Sequence, residues 1–83
     1  MKNQFWINLN SIERAKDFAD LIASVPCDVD ACSGRYVVDG KSLLGLFSLD
    51  LSKPVRVVVQ GTDEDVEKVV RLSKHLWVEG EEE

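Results

Sequence analysis

The most informative stretch of the chain is Lys41-Ser42-Leu43-Leu44-Gly45-Leu46-Phe47-Ser48-Leu49-Asp50-Leu51. The Ser42 hydroxyl can accept hydrogen bonds from the free N–H groups of a first helical turn, so a short helix is predicted after it. Leu43, Leu46 and Phe47 fall at helical spacing for one face, while Leu44 and Phe47 lie three residues apart toward another. So short a helix cannot bury all of them. It is either a lid on a small core, with Leu44 and Phe47 inside, or a docking surface, with both exposed.

Four strands are predicted around this helix from residues that alternate or are rich in β-branched and aromatic types. They cover residues 4–9, 27–32, 35–38 and 55–59. The turn signal Ser33-Gly34 joins the second strand to the third as a hairpin. In the first strand, Trp6 faces away from Phe5 and Ile7, so an uncovered sheet face would expose Trp6.

Apolar spacing of three and four residues predicts two longer helices. The first begins at a cap on Asn10 or Ser11, includes Ile12 in its apolar face and ends before Pro26. The last has an acidic first turn, which suits the helix dipole, and an apolar face that extends to Trp77. The order β-α-β-β-α-β-α predicts an α+β fold, with a four-stranded antiparallel sheet and helices on one face.

Length and charge predict one domain at residues 1–78 and a disordered acidic tail at 79–83. The tail holds four of the 15 acidic residues, so the body has eleven acids against ten bases. No basic stripe is visible, which disfavours nucleic-acid binding. No signal peptide and no membrane-length apolar run is found, so we expect a cytoplasmic protein that does not bind membranes.

The two cysteines do not form a metal or redox motif. Four residues separate Cys27 from Cys32, and the chain has a single His to complete a ligand set. We therefore expect two reduced thiols in ordinary structural positions, with no metal and no cofactor.

Element order and motif together make the chain resemble HPr, the histidine-containing phosphocarrier protein of the bacterial sugar phosphotransferase system. Residues 41–49 look like the family's regulatory-serine motif, Lys-Ser-Ile-Met-Gly-Val-Met-Ser-Leu. Residues 61–65, Gly-Thr-Asp-Glu-Asp, look like the family's approach to its last helix. The resemblance covers nearly the whole chain. It implies an open-faced β-sandwich, and it makes Ser42 the candidate acceptor of a regulatory phosphate.

The chain departs from the family where HPr carries its phosphoryl group. That site is a His in a Gly-(Leu/Ile)-His-x-Arg-Pro-Ala motif, and residues 8–15 here hold neither His nor Pro. Ser11, Glu13 and Arg14 occupy this vestigial region. Phosphoryl transfer of this kind needs an imidazole nucleophile, and His75 lies far along the chain. The relay is therefore expected to be inactive, and no enzymatic activity is expected.

Three functions remain open from the sequence. The first is an HPr-like regulatory adaptor that binds proteins through Leu44 and Phe47 and can be phosphorylated on Ser42. Its partners would be the serine kinase or regulatory proteins of the phosphotransferase system. The second is a phosphocarrier that uses Ser11 or Glu13 in place of His. The third is a structural module that forms a homodimer through Trp6 and the sheet face.

Overall fold

The predicted α+β fold is confirmed by a computed structural model, which describes residues 2–78. The elements, in chain order, are β1 (Gln4–Ile7), α1 (Ile12–Ile22), β2 (Asp28–Ser33), β3 (Tyr36–Asp39), α2 (Leu43–Phe47), β4 (Val55–Gln60) and α3 (Asp63–Ser73). A 3-10 turn (Lys74–Leu76) follows α3. The predicted tail at residues 79–83 lies outside the described residues.

The sheet is a four-stranded antiparallel sheet with the strand order β1-β4-β2-β3. Alternate residues of β4 (Val55, Val57 and Val59) are buried with Phe18 of α1 in one core cluster. This alternation arises because successive side chains of a strand point to opposite faces. The helices cover one face and leave the other open, so the architecture is an open-faced β-sandwich.

The two edges of the sheet differ. Beside β1, the segment that follows the 3-10 turn supplies backbone partners: the Asn8 N–H donates to Leu76 O over 2.8 Å, and the Val78 N–H donates to Trp6 O over 3.2 Å. At the other edge, no segment among residues 2–78 pairs with the outer side of β3. One edge is thus covered by the chain itself and the other is open.

The last helix ends earlier than predicted. The α-helix stops at Ser73, and Trp77 forms an isolated antiparallel bridge with Ile7 of β1. The Trp77 ring stacks on the Phe5 ring, with 5.2 Å between ring centroids. Trp77 therefore packs at the edge of the sheet and is not part of the apolar face of α3. Thr62 caps α3, and the Asp65 side chain completes a capping box.

The first helix begins and ends within its predicted limits: Ser11 caps α1, and the helix ends at Ile22, before Pro26. Ile12, which the apolar spacing places on the buried face, is 71% exposed. It is the first helical residue, so it projects past the end of the core that buries the later residues of that face. Among residues 2–78, no helix is both long and apolar enough to span a membrane.

Candidate functional site

A turn between β3 and α2 fixes the position of Ser42. The Ser42 N–H donates to Asp39 O over 3.0 Å, and the Ser42 hydroxyl accepts from the Gly45 N–H over 3.1 Å. Asp39 Oδ1 accepts from the Lys41 N–H over 2.9 Å, while the Lys41 ammonium donates to Val25 O. Ser42 is half-buried and caps α2, as its sequence predicts.

Gly45 lets α2 lie close to the sheet. A Cβ added at Gly45 would meet Val38 Cβ at 3.3 Å and Ser42 Cβ at 3.4 Å, which is tighter than ordinary van der Waals contact. The next residue, Leu46, is fully buried in the core. The helix is therefore anchored through Gly45 and Leu46, and its opposite side is free to face solvent.

That opposite side presents the two residues whose place the sequence left open. Leu44 is 83% exposed and Phe47 is 41% exposed, so neither is a core residue. Phe47 lines a groove of about 290 Å³ together with Ile12 and Leu51, between the start of α1 and the end of α2. Leu44 lies one helical turn before Phe47 on α2. We call Ile12, Leu44 and Phe47 the docking patch, because grouped exposed apolar side chains are typical of protein-binding surfaces.

Ile12 is the member of the docking patch that the sequence interpretation missed. Its spacing from Ala15 fits the buried face of α1, which concealed its exposure. Its position directly after the Ser11 cap is the signal that could have identified it, since the first residue of a helix often lies beyond the core.

The residues predicted to form a vestigial phosphoacceptor region have local structural contacts. The Ser11 hydroxyl accepts from the Arg14 N–H over 3.1 Å and so caps α1. The Arg14 guanidinium donates to Asn8 O over 2.9 Å and to Leu76 O over 3.4 Å. Arg14 therefore ties the first turn of α1 to the segment after α3, and Glu13 is exposed beside it.

His75 lies closer to α1 than its place in the sequence suggests. Its Nε2 is 2.7 Å from Asp17 Oδ2, and both side chains are about half exposed. Asp17 is six residues beyond Ser11, which is about 9 Å along the helix axis. The imidazole is therefore held beside the middle of α1 and away from the Ser11 hydroxyl that it would have to activate.

Trp6 lies on the uncovered face of the sheet and is 37% exposed. Cross-strand pairing continues its row through Arg56 and Cys32 to Val37. Cys32 is buried within this row, although no helix covers it. The surface around Trp6 thus mixes apolar and charged groups and is separate from the docking patch on α1 and α2.

Among residues 2–78, the pKa values of two ionisable groups are shifted. Burial, and next the negative charge of Asp65, raise the pKa of the Cys27 thiol, so this cysteine is less reactive than a free one. The hydroxyl and N–H of Ser52 donate to Asp50 Oδ1 and lower the pKa of the Asp50 carboxyl. Among residues 2–78, no group of three or more His, Cys, Asp or Glu side chains could hold a metal ion.

Comparison with known proteins adds no family to this description. No protein-family model matches the chain, and no curated protein matches its sequence significantly. The resemblance to HPr therefore rests on residues 41–49, on residues 61–65 and on the order of the elements.

Proposed function

We propose that this chain is an HPr-like regulatory adaptor of the bacterial sugar phosphotransferase system, which acts by binding proteins and not by carrying phosphate. The observation that supports this most directly is the exposure of the docking patch. Leu44 and Phe47 belong to the segment that resembles the family's regulatory motif, and Ile12 extends the same surface onto α1. Two exposed apolar side chains that line a groove, with a third one helical turn away on α2, suit the hydrophobic centre of a partner interface.

Ser42 is the proposed regulatory phosphorylation site. Its hydroxyl lies at the start of α2, two residues before Leu44, so a phosphate there would stand at the border of the docking patch. A phosphoserine carries nearly two negative charges and three acceptor oxygens. The N–H groups of the first α2 turn would favour this charge, and Asp39 nearby would oppose it. The proposed partners are the serine kinase and regulatory proteins of the phosphotransferase system.

The alternative phosphocarrier has little support from the contacts at the vestigial site. The Ser11 hydroxyl caps α1, and the single imidazole of the chain is paired with Asp17. A serine nucleophile needs an adjacent base to remove its proton. Glu13 has an exposed carboxylate at the same end of α1, and the contact of the imidazole is with Asp17, one helical turn further along. We therefore assign the chain a binding role without enzymatic activity.

Phosphorylation of the purified protein tests the proposal. The chain is incubated separately with the phosphoenolpyruvate-dependent donor enzyme of the system and with its serine kinase plus ATP, and the label is located by mass spectrometry. We expect label from the kinase, on Ser42, and none on the matched Ser42→Ala variant. Label from the donor enzyme at any residue would overturn the adaptor proposal. If neither enzyme labels the protein, the proposal that Ser42 is a regulatory phosphorylation site is wrong.

The docking patch is tested independently of phosphorylation. Purified regulatory proteins of the system are titrated against wild type, Leu44→Ala, Phe47→Ala and, as a control, Glu64→Ala on the exposed side of α3. Truncation of a hot-spot residue at the centre of an interface costs more than about 1 kcal/mol, and we expect Leu44 and Phe47 to be such residues, so affinity should fall about tenfold for the first two variants. Equal affinity for all four proteins would refute the docking patch.

A further inference from the structure

The open edge of the sheet has free backbone groups in a defined pattern. Antiparallel strands alternate pairs that exchange hydrogen bonds with pairs that do not. The Gly40 N–H donates to Val29 O over 2.7 Å, so the Gly40–Val29 pair is of the first kind. Counting back along β3, Val38 and Tyr36 also point their backbone groups at β2. The N–H and C=O of Val37 and the N–H of Asp39 therefore face away from the sheet.

The side chains along this edge are exposed and chemically varied. Tyr36 is 67% exposed and Val37 is 61% exposed, although both lie in a strand. Arg35, in the turn directly before β3, and Asp39, the last residue of β3, lie two residues to either side of Val37, and both are exposed. Among residues 2–78, neither Arg35 nor Asp39 forms an ion pair with another side chain. The edge thus has an apolar centre with opposite charges at its two ends.

Asp39 also faces a like charge. In the β2–β3 hairpin its direct cross-strand partner is Asp30, and directly opposed like charges destabilise a sheet. Asp30 has a neutral contact on its other side, where the Gln60 amide donates to its carboxylate over 3.0 Å. A cation next to Asp39, on the open side of β3, would relieve this repulsion.

We infer that β3 pairs with β3 of a second copy of this chain, in antiparallel register about Val37. A two-fold axis passes through the Val37–Val37 pair. A residue that precedes Val37 in one copy therefore lies opposite the residue that follows Val37 by the same number of positions in the other copy. Arg35 of each copy then faces Asp39 of the other, and Tyr36 faces Val38. Both Arg35–Asp39 pairs join opposite charges. In each pair, the Arg35 guanidinium lies next to Asp39 and offsets its repulsion with Asp30.

This register also uses the free backbone groups. Val37 of each copy exchanges two hydrogen bonds with Val37 of the other, and each Asp39 N–H reaches the Arg35 carbonyl opposite. The Asp39 carbonyl already accepts from the Ser42 N–H. The paired edges form one eight-stranded sheet. The contact between two four-residue strands is small, so the dimer is weak and forms at high protein concentration.

Charge exchange tests the register. Sedimentation equilibrium of the full chain is measured over a wide concentration range for wild type, Arg35→Asp, Asp39→Arg and an equal mixture of the two variants. Each variant alone places like charges opposite each other at both symmetric pairs, so we expect dimerisation about tenfold weaker. The mixture restores both attractive pairs and should dimerise as wild type does. Lys16→Asp, on the exposed side of α1, is the matched charge-change control.

Amide hydrogen exchange gives a second measurement that does not depend on a folded Asp39 variant. Exchange at Val37 and Asp39 should slow as the concentration of wild-type protein rises, and Arg35→Asp should abolish this slowing. A monomer at every concentration would overturn the inference, as would a dimer that Arg35→Asp leaves unchanged. A dimer lost in Trp6→Ala but kept in Arg35→Asp would assign the contact to the open sheet face instead.

Discussion

Leu44 and Leu46 provide a matched test of how α2 is oriented, because they are the same residue type two positions apart. Leu46 is fully buried and Leu44 is 83% exposed. Leu→Ala in a core removes buried surface and leaves a cavity, at a cost of about 2–5 kcal/mol. The same change on the surface is usually within about 0.5 kcal/mol. A domain of this length has a total stability of about 4–12 kcal/mol, so Leu46→Ala should remove a large part of it.

Urea denaturation followed by far-ultraviolet circular dichroism measures both variants. With an m value of about 1 kcal/mol/M, Leu46→Ala should lower the midpoint by about 2 M or more, while Leu44→Ala should leave it nearly unchanged. Partner binding should show the opposite pattern, with the loss confined to Leu44→Ala. A destabilisation of Leu44→Ala equal to that of Leu46→Ala would refute the orientation of α2, and the docking patch with it.

Three further predictions concern local contacts. Ser11→Ala removes the α1 cap and should lower the free energy of unfolding by about 1 kcal/mol in urea; an unchanged midpoint would contradict the cap. Gly40→Ala places a methyl group 2.9 Å from the Val29 carbonyl oxygen and should lower the free energy of unfolding by about 1–3 kcal/mol. An unchanged free energy of unfolding would show that the backbone moves to accommodate the methyl group. The hydrogen bonds from Ser52 lower the pKa of the Asp50 carboxyl. They therefore stabilise the folded protein fully at pH values above the usual pKa of a carboxyl group, and this stabilisation is lost as the pH falls through the lowered pKa. NMR titration should show a higher pKa for Asp50 in Ser52→Ala than in the wild type. An unchanged pKa would contradict the assignment of the shift to Ser52.

The strands were predictable because their signal is local. Alternate burial in β4 follows directly from Val55, Val57 and Val59, and the Ser33-Gly34 turn fixes the hairpin between β2 and β3. Helix caps were equally accessible, since Ser42 and Thr62 act on N–H groups three residues away. These features depend on neighbours in sequence, so the sequence contains what is needed to infer them.

The errors in the sequence interpretation arise from contacts between distant residues. Trp77 leaves the helical pattern because Phe5, 72 positions earlier, offers its ring a stacking partner. His75 lies beside α1 because the chain after α3 runs back along the edge of β1. The apolar periodicity of a single helix cannot predict this path. In α2, five residues are too few for apolar spacing to identify which side is buried, so only packing against Val38 could decide between Leu44 and Leu46.

The turn from β3 into α2 connects the two proposed interaction surfaces. Asp39 offers its carbonyl to the Ser42 N–H and, in the inferred dimer, its carboxylate to Arg35 of the other copy. A phosphate on Ser42 would add negative charge on the same turn and would compete with Asp39 for that arginine. The docking patch begins at Leu44, two residues after Ser42, and continues to Phe47 and Ile12 beside the start of α1. Modification of a single serine could therefore act on partner binding and on self-association, and the Arg35 and Leu44 variants separate the two effects.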